Sequence, residues 1–478
     1  MAKMIIGGEA VDSVSGERYE VRSPATGEIV DTSPNGTVED ARRAIAAADL
    51  AFKTWSKTPP AKRAEILARA EHVISEHEED LACTLTLEQG KTLREAKMEI
   101  HRFCHTIKHY AGLGKSLRGG YVPMLDEKRY GMIIKKPLGV CGAIVPWNFP
   151  ISLMGNKIAP ALLTGNTVVV KPAGTTPLTT IKVIELFHKA GLPAGALNVV
   201  IGSGRSVGEE ILRHPKVRKI GFTGATSTGK HVMAVAAAEL KHVTLELGGS
   251  DPMIVCDDAN LEAAVSAASV GRFFNCGQAC LAVKRLFLFE KIYDEFLSRL
   301  CEKVKKLRVG NGLDPKSTLG PLHSSGQRQE VEEQVQDAVA RGARVIAGGK
   351  RPEGKEYEKG YFYLPTLVVD VPDEARMLTE ECFGPALPIV KVKDLSEALA
   401  KANSSIYGLG SSVWTRDINK ATIAAEQLEA GYTWVNSAQI IYDELPFGGV
   451  KQSGLGKEHG SEVLDYYMET KSVVIAIE

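Results

Sequence analysis

The chain has no excess of either charge: Lys plus Arg number 58 and Asp plus Glu number 58. That balance gives no electrostatic basis for a nucleic-acid partner or an anionic membrane surface. Zinc-type cysteine spacing is missing as well. The eight cysteines (Cys83, Cys104, Cys141, Cys256, Cys276, Cys280, Cys301 and Cys382) are scattered, and no His accompanies the one close pair. No metal site is expected there. The N-terminal MAKMIIGGEAVDS has no basic segment followed by a long apolar one, so no secretory signal is read. No apolar stretch approaches the roughly eighteen residues needed to span a bilayer. Repeats, low-complexity tracts and obvious linkers are absent too. The context these absences imply is cytoplasmic and reducing, with free thiols.

What remains is a long chain of ordinary composition. Its 478 residues are too many for one hydrophobic core, and two or three domains are expected. Apolar residues make up 44% and charged residues 24%, as in globular proteins. Helical patterns dominate residues 37–118. In VEDARRAIAAADLAFKTW, Val38, Ala41, Ile45, Ala48 and Phe52 form one stripe behind Thr37 as N-cap. From residue 138 short apolar runs alternate with helices. GVCGAIV, NTVVVKP, LNVVIG, KIGFTG, VTLELGG and DPMIVC read as strands of a βαβ series with parallel sheet. A second α/β block follows from about 255 to 450. KRYGMIIKKPLG and the C-terminal TKSVVIAIE are strand candidates outside both blocks.

Several stretches suggest chemistry. LNVVIGSGRSVGEEI and KIGFTGATSTGKHV each place glycines between a strand and a helix start, where backbone N–H groups and the macrodipole suit phosphates. Either alone also reads as an ordinary βα turn. Glu246 ends an apolar strand beside Gly248 and Gly249. It is either a desolvated carboxylate, and so a base near neutral pH, or a solvent-facing strand residue. Asn148 in VPWNFP sits on a proline-fixed corner, suited to stabilising an oxyanion or simply to turn geometry. FFNCGQACLAVKR offers two thiols four residues apart.

Together these stretches carry more. PWNFP, KPA, GFTGATSTG, LELGG, NCGQAC, EECFGP and PFGGVKQSGLGKE, in this order and spacing, resemble the aldehyde dehydrogenase superfamily over nearly the whole chain. The resemblance implies an α/β aldehyde dehydrogenase-like fold. A Rossmann-like coenzyme domain would take 1–118 and 140–248, and an α/β catalytic domain 249–447. A small β oligomerisation element would combine 119–139 with 464–478. It implies Cys280 as the nucleophile, with Cys276 outside the chemistry, Glu246 as general base and Asn148 as oxyanion-hole amide. Trp147, Lys171, Gly224, Ala225, Glu381 and Phe383 would line the cofactor. Glu458 would lie near the proton route from the base. The partners implied are a small-molecule aldehyde and further copies of the chain, as dimer or homotetramer, with no nucleic acid or membrane.

Two departures shape the finer expectations. Family members that prefer NAD usually carry Glu where Gly174 stands, so NADP is the expected preference, with NAD still accepted. Lys171, Arg205, Thr175 and Thr176 would then receive the 2′-phosphate. Succinic semialdehyde enzymes often carry Arg where Phe274 stands. The tunnel is expected to be lined by Arg102, Phe149, Asn156, Phe274, Ile441 and Phe447. The expected substrate is a short polar aldehyde such as lactaldehyde or glyceraldehyde, with a succinic or CoA-acylating semialdehyde dehydrogenase as the alternative. The CoA-acylating branch typically lacks the general-base Glu, which is present here. An inactive structural homologue would have lost the thiol, acid or amide, and all three are present.

Overall fold

The apolar runs that follow residue 138 form one sheet. In the computed structural model, which describes residues 1–477, five parallel strands lie side by side in the order Leu197–Val199, Thr167–Lys171, Val140–Ile144, Val217–Thr223 and His242–Glu246. Their near-continuous Val and Ile content suits a sheet covered on both faces. Met4–Ile6 and Glu9–Val11 extend one edge, and Gly454–Leu455 pairs antiparallel with His242–Glu246 at the other. The strand order reverses between Val140–Ile144 and Val217–Thr223. A crevice opens at such a switch point, beyond the carboxyl ends of the strands, and ligands of open α/β sheets bind there. Trp147-Asn148 and Gly224-Ala225 follow those two carboxyl ends directly.

A second sheet has seven strands and its own core. Thr366–Val369, Ala386–Val392, Val283–Phe289, Asp251–Val255, Gly410–Trp414 and Tyr432–Val435 run parallel, and Arg344–Ala347 closes one edge antiparallel. DPMIVC therefore opens the second sheet at Asp251, five residues after Glu246 ends its strand of the first. A large buried apolar cluster lies with each sheet.

The helices follow from their stripes. Val38–Trp55 buries Ala41, Ala44, Ile45 and Ala48, and the Asp40 carboxylate accepts the Thr37 N–H at 2.9 Å. The next helical run breaks at His77 into Pro60–Glu76 and Glu78–Gln89. Leu93–Leu113 opens with a capping box in which Thr92 N–H donates to Glu95 at 2.9 Å. The orphan strand candidates pair with each other: Gly120–Asp126, Arg129–Pro137 and Met468–Ala476 form a three-stranded antiparallel sheet. Tyr121, Met124, Leu125 and Val474 stand exposed on it.

Candidate active site

The loop between the Leu261–Phe273 helix and the Val283–Phe289 strand carries both thiols. Asn275, Cys276 and Gly277 all hold left-handed backbone, with φ of 51°, 56° and 71°. Non-glycine residues adopt this region at a cost, so surrounding structure must enforce it. Asn275 N–H donates to Glu95 Oε1 at 2.7 Å, and its side-chain amide donates to the carbonyls of Asn148 at 3.1 Å and Gln278 at 3.2 Å. Gly277 is required twice over: its φ is positive, and a Cβ there would fall 2.2 Å from the Gly384 carbonyl oxygen. The tight turn separates the thiols. Cys276 is buried in the core of the second sheet, while Cys280 is half-buried and packs against the Leu409, Trp434 and Phe447 cluster with Ile441. Burial pushes the Cys280 thiol up to about 12, with Lys284 opposing and Glu246 adding to the rise.

Asn148 is held from three sides. Its backbone carbonyl accepts from Lys91 Nζ at 2.7 Å and from Asn275, and its side-chain amide donates to the Gln278 carbonyl at 3.1 Å. Lys91 is itself buried against Glu99, which also accepts the Ile151 N–H at 2.9 Å. Proline geometry and this buried ion pair together fix the corner that reaches the loop carrying Cys276 and Cys280.

Glu246 is buried, which settles the two readings of this residue in favour of the desolvated carboxylate. Neither of its oxygens has a hydrogen-bond partner among the described residues. Burial first, and then the charge of Glu458, raise its carboxyl well above the usual range, with Lys157 and Lys457 opposing. Gly448 makes the space: a Cβ there would lie 2.6 Å from Glu246 Oε1. Close by, Lys157 Nζ donates to Glu458 Oε1 and to Thr223 Oγ1, each at 2.6 Å.

The switch-point crevice has the character of a dinucleotide pocket. Trp147 stacks on His323 with centroids 4.4 Å apart, and Phe383 meets Trp147 edge-on at 5.7 Å. Burial pushes the His323 imidazole down to about 4, so it is neutral. Its Nδ1 lies 3.1 Å from the Gln89 carbonyl and must donate there, which leaves Nε2 to accept from the Thr175 hydroxyl at 2.7 Å. Among the described residues, the buried Lys171 ammonium donates only to the Pro172 carbonyl, at 3.3 Å; burial pushes it down to about 8. A buried ammonium without a counter-ion fits an anionic ligand group. Gly224 and Ala225 precede the Thr226–Ala237 helix, and Arg205 is exposed on the neighbouring turn. These residues fit a nicotinamide dinucleotide.

Other expected positions fall differently. Thr176 is fully buried and the Thr175 hydroxyl serves His323, so neither stands free for a phosphate. Tyr19 donates to the Gly174 carbonyl at 2.7 Å, beside the missing side chain. Glu381 is engaged with Lys284, whose ammonium also reaches the carbonyls of Gly249 at 2.9 Å and Cys280 at 3.0 Å. Phe149 and Phe274 stack at 5.8 Å. Asn156 departs from the tunnel expectation: it is buried, and its amide donates to Glu458 Oε2 at 3.0 Å. Phe447 is also buried, with Ile441 packed against it. Arg102 donates to Asp443 at 2.7 Å and is only partly exposed. Lys91, Lys157, Lys284, His323 and Asp443 escaped the sequence reading. Each is defined by partners far along the chain, and no local motif marks it.

A model of the aldehyde dehydrogenase family matches residues 10–473. The chain belongs to this family. The chain is an NAD(P)-dependent aldehyde dehydrogenase, with NADP or NAD as its cofactor. It is 40% identical over 473 residues to the Escherichia coli succinate-semialdehyde dehydrogenase (NADP+) GabD, covering 99% of this chain and 97% of that one. It is also 40% identical over 472 residues to a glutarate-semialdehyde dehydrogenase of Pseudomonas putida, with 99% and 97% covered. A solved Escherichia coli NADP-dependent enzyme superposes with a TM-score of 0.97 at 40% identity, covering 99% of this chain and 98% of that one. A Staphylococcus aureus betaine aldehyde dehydrogenase in complex with NAD+ does so with 0.97 at 37% identity, covering 100% and 95%.

Proposed function

We propose that this aldehyde dehydrogenase oxidises a short aldehyde carrying a distal carboxylate, and that Cys280, Glu246 and Asn148 carry the reaction. The observation that supports this substrate class most is Arg102. Only its Nη2 is engaged, leaving Nε and Nη1 without an acceptor among the described residues. Its partner Asp443 lies two residues from Ile441, which packs against the same apolar cluster as Cys280. The semialdehyde names of the relatives favour a carboxylate over the hydroxyl of lactaldehyde or glyceraldehyde. Phe274, where Arg is often found, leaves Arg102 as the cation that reads it.

Cys280 gives up its thiol proton to solvent water, its sulfur adds to the aldehyde carbon, and the Asn148 amide with the Cys280 backbone N–H holds the developing alkoxide. One such donor is worth about 2.7–4 kcal/mol. The chemistry a nicotinamide dinucleotide supplies in this pocket is acceptance of hydride. Trp147, Lys171, Gly224, Ala225, Glu381 and Phe383 would hold it. Glu246 removes a proton from the water that cleaves the Cys280 thioester, releasing the acid. The Lys157–Glu458 pair beside it offers an exit for that proton. The exposed apolar side chains of the three-stranded sheet favour pairing with another copy of the chain.

The test of the substrate class is kcat/KM across succinate and glutarate semialdehydes, lactaldehyde and glyceraldehyde, in wild type and Arg102→Gln. A semialdehyde should lead, and the substitution should raise its KM by about 10- to 100-fold, the value of a charge-assisted contact. Hydroxyaldehydes leading in wild type would refute the carboxylate reading.

For the cofactor we propose a preference for NADP. An unpaired Lys171, with no carboxylate at Gly174, favours the 2′-phosphate. Gly174→Glu should shift the NADP-to-NAD ratio of kcat/KM about tenfold or more toward NAD. An unchanged ratio, or a wild type that strongly prefers NAD, would remove this position from the choice.

A further inference from the structure

We propose that Lys284 is a positioning residue of the reaction: its one ammonium holds the main chain of Cys280 and the carboxylate of Glu381 in a single frame, and so sets the nucleophile against the nicotinamide end of the dinucleotide. This rests on the roles of Cys280 and Glu381 given above. Lys284 lies in the Val283–Phe289 strand, four residues after Cys280, and its side chain is fully buried. Its Nζ donates to the Gly249 carbonyl at 2.9 Å, to the Cys280 carbonyl at 3.0 Å and to Glu381 Oε1. An ammonium has three N–H donors, and these are three acceptors. A neutral amine would turn its lone pair toward one of the same oxygens, so the site is built for the cation. The Phe383 ring adds to it, with its centroid 5.1 Å from Nζ.

The three acceptors come from three segments far apart in the chain. Gly249 follows the strand that Glu246 ends, Cys280 precedes the Val283–Phe289 strand, and Glu381 precedes the Ala386–Val392 strand. Glycines let them close: a Cβ on Gly249 would fall 2.7 Å from the Cys280 carbonyl oxygen, and one on Gly248 would fall 2.4 Å from Glu381 Oε2. Glu381 divides its two oxygens. Oε1 takes both Lys284 and the Gly249 N–H, the latter at 3.2 Å. Oε2 accepts from none of the described residues, and the side chain is 21% exposed. A free carboxylate oxygen suits a ribose hydroxyl, which donates to it. The half of the dinucleotide that takes hydride must lie at Cys280, and Glu381 shares a cation with Cys280. The hydroxyls of the nicotinamide ribose are therefore the ones it meets. By occupying Oε1, Lys284 leaves Oε2 aimed for the ligand.

The same cation acts on the thiol. Burial raises Cys280, Lys284 opposes the rise, and the carboxylates of Glu246, Glu381 and Asp251 add to it. Removing the Lys284 charge therefore disfavours the thiolate, and removing the Glu381 charge favours it. Simple loosening of the loop would move both variants in the same direction.

The experiment uses Lys284→Met, which keeps the length of the side chain without its charge, Glu381→Gln, and the two combined. Two quantities are measured on each, and neither needs turnover. One is the Kd of NADPH by fluorescence, with 2′-phospho-ADP, which lacks the nicotinamide ribose, as the control ligand. The other is the rate of Cys280 alkylation by iodoacetamide at one fixed pH without dinucleotide, located by mass spectrometry. Lys284→Met should weaken NADPH about tenfold and leave the control ligand unchanged. In the Glu381→Gln background it should weaken NADPH no further, because its hold on the ligand passes through Glu381. Alkylation should slow about tenfold in Lys284→Met and quicken in Glu381→Gln. If Lys284→Met fails to fold because Glu381 is left unpaired, the combined variant carries neither charge and is compared with Glu381→Gln alone: equal Kd and slower alkylation are expected. Equal weakening of NADPH and the control ligand, an additive loss in the combined variant, or alkylation shifting the same way in both single variants overturns the proposal. Failure of the underlying roles reads differently. An unchanged Kd in Glu381→Gln removes Glu381 from the dinucleotide and takes the cofactor half of the proposal with it. An active Cys280→Ala removes Cys280 from the chemistry, and with it the part of Lys284 in the reaction.

Discussion

Cys280→Ala is expected to lose aldehyde oxidation by roughly 10⁴-fold or more, because no other group can form the acyl intermediate. Cys276→Ala should keep most of the activity. Its cost is a small buried cavity, about 1–2 kcal/mol of stability. The structure gives this contrast its basis: Cys276 is buried in the core of the second sheet, and Cys280 packs, half-buried, against the Leu409, Trp434 and Phe447 cluster. Cys280 also has a testable resting state. With its thiol pushed up to about 12, the free enzyme holds it protonated at neutral pH. Alkylation of Cys280 should therefore accelerate about tenfold per pH unit, with no plateau below pH 10. Activity surviving in Cys280→Ala and vanishing in Cys276→Ala would reverse the assignment.

Glu246→Gln should lower steady-state turnover by about 10²–10⁴-fold while leaving a first-turnover burst of reduced cofactor. The carboxylate acts on water after the oxidation step, so the burst does not need it. Misfolding is not a competing explanation here. A neutral amide in that unpartnered, buried position is easier to desolvate than a carboxylate, and Tm should not fall. The wild type should show the same dependence through pH. The raised carboxyl is a base only above its own pKa, so turnover should fade on the acid side well before the ordinary carboxylate range, with the burst retained. Loss of the burst in a folded Glu246→Gln protein would assign Glu246 to activating the thiol instead.

Much of this site was legible in the sequence because its parts lie at the ends of readable elements. Glu246 closes a strand, Gly224 and Ala225 precede a helix, and Cys280 follows a glycine turn. The strand segments after residue 138 were equally plain, since a covered parallel sheet needs unbroken apolar runs. The burial of Glu246 was only half legible. Leu245 and Leu247 hinted at it, but the segment that covers it, Gly448 with Gly454–Leu455, arrives some two hundred residues later. The same distance hid the pairings. Lys284 with Glu381, Lys157 with Glu458, and Arg102 with Asp443 join residues 97, 301 and 341 positions apart. The left-handed backbone of Asn275 and Cys276 gave no sign either, because neither is glycine and the support comes from Glu95 on another helix.

The most direct test of the account is to find the acyl group itself. Glu246→Gln should be mixed with aldehyde and oxidised cofactor, quenched within the burst, digested and mapped by mass spectrometry. The account predicts an acyl adduct on Cys280, at close to one equivalent per chain, that decays slowly on standing. An unmodified Cys280 during a full burst, or an adduct on Cys276, would contradict it.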